Sequence, residues 1–247
     1  MLTYRSQKLT AIGLKVTKMK HPNWIEAFSY EDYLAMFELD SNRLTDKTLD
    51  CMSALSSFNA TATQQSKQVT SLDPLYAQDK HAIERLIDQQ RRLWQDHLEH
   101  NSHDPKQYEM AQKKFEHFTI TSQLFLDDYA LGQESGRYVA WSPGQKLPFA
   151  DHSFSLALCS HWLFKQPLSL IEVIDCIDEL CRVAGEVRIF PLVNAQSQPH
   201  HFLGHVMANF QSRHYKISCV AVDFNSPETG GAMLCITSPA CLLRRNL

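Results

Sequence analysis

The stretch that most constrains this chain runs from Lys47 to Tyr76, KTLDCMSALSSFNATATQQSKQVTSLDPLY. A short apolar run, Leu49 to Cys51, enters a turn of small residues. A helix-compatible segment follows, and a second strand-like run, Val69 to Leu72, closes on Asp73-Pro74. This order predicts a β-turn-α-β unit with an acid at the end of each strand. In open parallel sheets, ligands settle beyond the carboxyl ends of the strands. There the first turn offers backbone N–H groups, and an acid after the second strand accepts ribose hydroxyls. Asp50 and Asp73 therefore read as the two acids of half a nucleotide-binding crevice.

The remaining chain extends that unit into a sheet. Arg137 to Trp141 reads as a third strand, Pro143-Gly144 as a turn and Phe154 to Cys159 as a buried fourth strand. Ser169-Leu170-Ile171-Glu172 is a capping box, opening a helix with Ile171, Ile174, Ile177 and Cys181 inward and a stop at Gly185. Glu186 to Leu192 is a fifth strand and residues 199–212 a helix. Tyr215 to Asp223 and Ala232 to Ser238 are two last strands joined through Glu228-Thr229-Gly230-Gly231. Strand-helix alternation ending in two such strands predicts an α/β fold, mainly parallel with an antiparallel edge.

Residues 77–134 exceed what an ordinary crossover needs. Ile83, Leu86, Ile87, Gln90, Trp94 and Leu98 form one helical stripe. Tyr108, Ala111, Phe115, Phe118, Phe125 and Tyr129 form another, with NSHDP (Asn101 to Pro105) between them. Asp88 with Arg92 and Glu109 with Lys113 have the favourable i,i+4 order. This is a helical hairpin at the ligand-bearing edge: a lid or homodimerisation arm, or a packed excursion that only enlarges the core.

The length of 247 residues allows one domain with one insertion. Net charge is -3 with acids and bases interspersed, so no global field draws the chain to nucleic acid or an anionic membrane. No apolar stretch approaches the roughly 20 residues that span a bilayer. The seven cysteines are odd in number and contain no CxxC pair, which points to reduced thiols in a cytoplasmic protein rather than a disulfide frame or zinc site. Residues 1–44 read as a surface arm and a helix. Arg5, Lys8, Lys15, Lys18 and Lys20 make the arm basic, without the continuous apolar core of a secretory signal. Trp24, Phe28, Tyr30, Tyr33 and Phe37, between Pro22 and Leu39, fit a helix on the sheet edge or an aromatic pocket wall. His97, His100 and His103, and likewise His200, His201 and His205, read as solvated helix-end residues; no metal is expected.

The turn Met52-Ser53-Ala54-Leu55-Ser56-Ser57 contains no glycine. Neither GxGxxG nor a P-loop is present, which removes the main support for hydride or phosphoryl transfer. Ala54 at positive φ would store roughly 1 to 3 kcal/mol of strain. Ser56 or Ser57 can cap the helix that follows.

LDCMSALSSF followed by VTSLDPLY resembles the first motif and post-strand acid of class I S-adenosylmethionine-dependent methyltransferases, closest to a bacterial group whose turn reads approximately LDCxAGxSSF. Arg137-Tyr138-Val139, Leu147-Pro148-Phe149, FSLALCSHWLF (Phe154 to Phe164), GEVRIFPLV (Gly185 to Val193) and GGAMLCI (Gly230 to Ile236) keep that group's order. The resemblance implies a Rossmann-like seven-stranded sheet and S-adenosylmethionine as cofactor. It implies that Asp50 and the turn Cys51, Met52, Ser53, Ala54 and Ser57 surround the methionine part. Asp73 would take the ribose hydroxyls, Pro74 and Leu75 would lie by the adenine, and Ser142 would pass its edge. Cys159, Ser160 and His161 would end the fourth strand facing the methyl group. Ala54 stands where the family has glycine, Ser155 where it has an acid, and no acid lies near Pro143.

Methyl transfer needs in-line placement at about 3 to 3.5 Å and exclusion of water more than covalent help. His161 is the candidate base or orienting donor, with Ser160 and Tyr129 or Tyr138 as helpers. Cys159 has no neighbouring base in sequence to make it a nucleophile. The expected activity is methylation of a small molecule or protein. The alternative is a non-catalytic descendant used for ligand sensing or protein association.

Overall fold

The computed structural model describes residues 25–40, 44, 47–100 and 103–239; the expected basic arm, Trp24 and the tail beyond 239 lie outside them. The stretch from Lys47 to Tyr76 forms the expected unit as β1 (Thr48–Cys51), α2 (Phe58–Gln64) and β2 (Val69–Asp73). It follows α1 (Tyr30–Phe37). The hairpin is α3 (Lys80–His100) and α4 (Pro105–Glu134), reached through a 3-10 turn at Pro74–Ala77. Then come β3 (Tyr138–Ala140), β4 (Phe154–Ser160), α5 (Leu170–Val183), β5 (Ala184–Phe190), α6 (Leu203–Ser212), β6 (Lys216–Ser226) and β7 (Gly230–Thr237).

The strands form one seven-stranded sheet in the order β3-β2-β1-β4-β5-β7-β6. Five are parallel, and β7 runs antiparallel to both β5 and β6. This is the mainly parallel Rossmann-like sheet with antiparallel pairing toward one edge that the sequence predicts. The order reverses at β1, whose neighbours are β2 and β4, so the carboxyl ends of these strands flank a switch point where ligands bind in such sheets. Leu49, Leu72, Ala157 and Val187 fill the core as near-continuous apolar runs, as strands covered on both faces require.

Several elements depart from their expected form for local reasons. α1 starts at Tyr30 rather than near Pro22, because Ser29 and Asp32 close a capping box: Ser29 Oγ accepts the Asp32 N–H at 3.1 Å and Asp32 accepts the Ser29 N–H at 2.7 Å. The helix packs on a sheet face, burying Tyr33, Met36 and Phe37 against Phe58, Leu158 and Phe190, and it reaches over the edge strand β6 through Val222. In α5 the expected capping box forms, but Ile171 is 71% exposed; Val173, Ile177 and Leu180 make the buried stripe. Gly185 does not stop that helix. Ala184 has extended φ/ψ and the chain passes straight into β5, with Gly185 inside the strand. The hairpin stripes bury Ile83, Ile87, Trp94, Phe118, Phe125 and Tyr129, whereas Tyr108 is exposed. Glu109 pairs with Lys113 at 2.7 Å as expected, while Asp88 takes Arg91 instead of Arg92. His200 and His201 precede α6 rather than opening it. At the end of α3, His100 Nδ1 lies 2.6 Å from the Asp96 carbonyl. Among the described residues, no three His, Cys, Asp or Glu side chains are arranged to hold a metal ion.

Candidate active site at the carboxyl rim

Asp50 and Asp73 come to the same rim. Asp50 is opposite Ser71 in the β1–β2 register, and Asp73 ends β2 two residues further out. Past β1 the chain turns through Met52 at φ 63° and Ala54 at φ 46°, a left-handed conformation that costs an alanine about 1 to 2 kcal/mol. The turn thus adopts the left-handed conformation that favours glycine, with Met52 and Ala54 in its place.

Asp50 is fully buried in a polar network that sequence reading only partly reaches. Tyr33 Oη donates to Asp50 Oδ1 at 2.9 Å and lies 3.0 Å from Ser160 Oγ, tying the ends of β1 and β4 together from α1. Ser71 Oγ donates to Asp50 Oδ2 at 3.1 Å, and Ser53 Oγ to the Asp50 carbonyl at 3.2 Å. Asn59 Nδ2 donates to Ser71 Oγ at 3.0 Å, and Arg137 reaches Asn59 Oδ1 at 2.7 Å while forming a two-pronged pair with Asp128 of α4. Burial pushes the Asp50 carboxyl up to about 7, against the lowering effect of its hydroxyl donors. Burial likewise raises Asp73 to about 6, opposed by two backbone donors.

Those donors are the Leu75 N–H on Oδ1 at 2.8 Å and the Ala54 N–H on Oδ2 at 2.9 Å. Tyr76 Oη donates to the Ala54 carbonyl at 2.9 Å, so both peptide groups of that residue are held. Leu55 is fully buried and joins Leu75 and Tyr76 in the cluster under the helical arm, while half-buried Met52 packs on the main core. Pro74 opens the 3-10 turn, and Ser142 follows the end of β3 beside Asp73. Cys51 and Cys159 face each other in the β1–β4 register, both buried; the neighbouring Cys159 thiol and burial push Cys51 upward, an inert setting for a thiol.

The segment 25–29 crosses this rim as a strap, which the helical reading of its aromatics did not anticipate. Its Ile25 N–H donates to Gln90 of α3 at 3.0 Å, and its Phe28 carbonyl accepts from Ser57 N–H at 3.1 Å and Ser56 Oγ at 2.8 Å. The Phe28 ring stacks on His161 at 4.1 Å, with Phe190 and Phe224 at 5.3 and 6.3 Å from the imidazole. Both His161 ring nitrogens and Ser57 Oγ are buried without a hydrogen-bond partner. Burial, then the nearby Lys165 charge, lowers His161 to about 3, so its imidazole is neutral at ordinary pH. Tyr129 and Tyr138 are not brought to His161: their hydroxyls donate to the Gln78 carbonyl at 2.8 Å and to Asp128 at 3.0 Å. A separate groove of about 380 Å³, lined by Lys47, Lys67, Thr70 and Phe154 among others, opens at the amino-terminal rim; of the site residues described above it shares Arg137.

No protein-family model matches this chain. The chain is 26% identical over 190 residues to MJ0045, an uncharacterized protein of Methanocaldococcus jannaschii, with 75% of this chain and 85% of that protein covered. Among solved structures it is similar to the methyltransferase domain of bacterial CtHen1, at 10% identity and TM-score 0.45, covering 80% of this chain and 92% of that one. It is also similar to a TehB-like SAM-dependent methyltransferase from Corynebacterium glutamicum, at 13% identity and TM-score 0.43, covering 96% of each. A SAM-dependent methyltransferase from Aquifex aeolicus is similar at 12% identity and TM-score 0.39, covering 83% of this chain and 90% of that one.

Proposed function

We propose that the carboxyl rim binds S-adenosylmethionine and that the protein transfers its methyl group to a small-molecule or protein acceptor. The observation that carries this reading is the delivery of Asp50 and Asp73 to one rim, on either side of a turn held at positive φ. The resemblance of LDCMSALSSF and VTSLDPLY to the family's first motif and ribose acid supports it. The residues fit the group in kind. A carboxylate has about four acceptor positions, and Asp73 uses one on each oxygen; Ser57 Oγ and the His161 nitrogens are buried polar atoms still in need of partners. Asp73 would hold the ribose hydroxyls, Asp50 and the turn 51–57 the methionine part, and Pro74, Leu75 and Ser142 the adenine.

When bound, the sulfonium supplies an electrophilic methyl. The chain's own residues supply placement and dryness. Phe28, Phe190 and Phe224 exclude water around His161. With its proton affinity lowered by burial, His161 is a poor base and a good orienting partner, donating from one nitrogen or accepting at the other. Tyr33 fixes Ser160 relative to Asp50. The Ala54 N–H takes one position on Asp73 Oδ2 and the Leu75 N–H one on Oδ1, so the remaining lone pairs would be the ones to accept ribose hydroxyls.

The same contact favours a second reading, a non-catalytic crevice used for ligand sensing or protein association, since the turn, Leu55 and the strap fill the rim with the chain's own groups. Calorimetry of the full chain with S-adenosylmethionine and S-adenosylhomocysteine separates the two. Saturable binding that weakens at least tenfold in Asp73→Asn is expected. Absence of binding at millimolar cofactor would leave only the second reading.

A further inference from the structure

The helix α4 carries large apolar side chains on two faces. One faces its own protomer through Ala111, Phe118, Phe125 and Tyr129. On the other, Met110, Ile120, Leu124 and Leu131 are 61%, 63%, 41% and 66% exposed. Single exposed apolar residues are ordinary, but these four share a repeat. Positions 110, 113, 117, 120, 124, 127, 131 and 134 alternate steps of three and four along the helix, and all eight are exposed. That is the a/d spacing of a coiled-coil seam, sustained over about seven turns.

The polar positions of the seam indicate its occupant. Lys113 and His117 lie in its first half, Asp127 and Glu134 in its second. An antiparallel copy of the same helix, related by a two-fold axis level with Ser122, sets a positions against d positions as such coils require. Ile120 then meets the partner's Leu124, His117 the partner's Asp127, Lys113 the partner's Leu131, and Met110 the partner's Glu134. A parallel copy would set Lys113 on Lys113 and Asp127 on Asp127. Two acids within the stripe also oppose an anionic lipid surface. Within the protomer Lys113 reaches Glu109 and His117 reaches Asp32, each at 2.7 Å, yet both stay exposed, at 73% and 45%, and so remain available at the seam.

We propose that the protein forms a two-fold dimer through antiparallel pairing of α4 with the same helix of a second copy, centred on Ile120 and Leu124. The seam is distinct from the carboxyl-rim crevice, and the proposal does not depend on what that crevice binds.

Sedimentation equilibrium of the full chain tests it, with wild type expected as a dimer. Ile120→Glu and Leu124→Glu, each made alone, are expected to be monomers with unchanged circular dichroism and melting, because both side chains are solvent-facing in the protomer. Register is read by cross-linking in a Cys219→Ser, Cys241→Ser background. Under mild oxidation Ile120→Cys chains mixed with Leu124→Cys chains are expected to join covalently, while neither does so alone. A monomeric wild type, a dimer indifferent to Leu124→Glu, cross-linking of either variant with itself, or vesicle binding by a monomer would each overturn the proposal.

Discussion

The backbone N–H of Ala54 donates to Asp73 Oδ2 at 2.9 Å, joining the turn after β1 directly to the acid that ends β2. The bond explains how an alanine is kept at φ 46°: the Asp73 carboxylate holds its amide and the Tyr76 hydroxyl holds its carbonyl. A charge-assisted bond contributes roughly 1.5 to 3 kcal/mol, enough to offset the strain at one such residue.

Ala54→Gly should therefore relieve strain without disturbing either bond. Glycine's greater unfolded-state entropy subtracts about 0.5 to 1 kcal/mol from a gain of about 1 to 2, leaving a net stabilisation of up to about 1.5 kcal/mol. Urea unfolding midpoints measure it. A clear loss of stability would mean that the left-handed turn does not strain Ala54.

Asp50 gives stability a pH dependence whose sign follows from its raised pKa. Between its ordinary value of 3.8 and about 7 the folded state holds a proton that the unfolded state has released, so rising pH favours unfolding through that window and levels off above it. Asp50→Asn should remove this slope, and its melting temperature relative to wild type should climb from pH 4 to pH 7. A difference that stays constant across the window would show that Asp50 ionises normally in the fold.

Asp128→Ala leaves Arg137 partly buried between Asn59 and Thr63 without its two-pronged partner. The expected cost is about 2 to 3 kcal/mol, below that of a fully buried pair because each side chain keeps 19% exposure. Arg137 also joins the arm to the network around Asp50, so protease sensitivity at the arm should rise with the loss of stability. Wild-type unfolding and cleavage rates in the variant would refute the coupling.

His117 should titrate above its ordinary 6.5, because Asp32 bonds and attracts its protonated form. The pair's stability is present below 6.5 and is lost as pH rises through the elevated value. Imidazole NMR shifts in wild type and Asp32→Asn measure it; an identical midpoint in the two would rule the ion pair out.

Local order was legible where short-range physics decides it. The β-turn-α-β unit, the two helices of the insertion with Asp104 capping the second, and the capping box at Ser169 all follow from period, breakers and caps within a few residues. The limit shows at Ile171, where an apolar residue in a good helical pattern points to solvent because the sheet meets the stripe through Val173, Ile177 and Leu180. It shows again at Gly185, where sheet pairing with β4 and β7 overrides a helix-stop signal.

The candidate site divides in the same way. Asp50, Asp73 and the turn between them lie within one local unit, so their strand-end positions could be read in advance. Tyr33, Asn59 and Arg137 could not, because what marks them is the burial of Asp50 by elements distant in sequence. Nor could the strap of residues 25–29, whose Phe28 finds His161 only after α1 and β4 have met.

By itself the sequence determined the periods, the turns and the strand ends, hence a mainly parallel α/β sheet with its acids at one rim and a helical hairpin beside it. Tertiary structure alone decided which polar groups are satisfied: Ala54 on Asp73, Tyr33 on Asp50, and His161 on nothing. The reason is that hydrogen bonding and burial depend on which distant surfaces come together, and no pattern of neighbours along the chain encodes that distance.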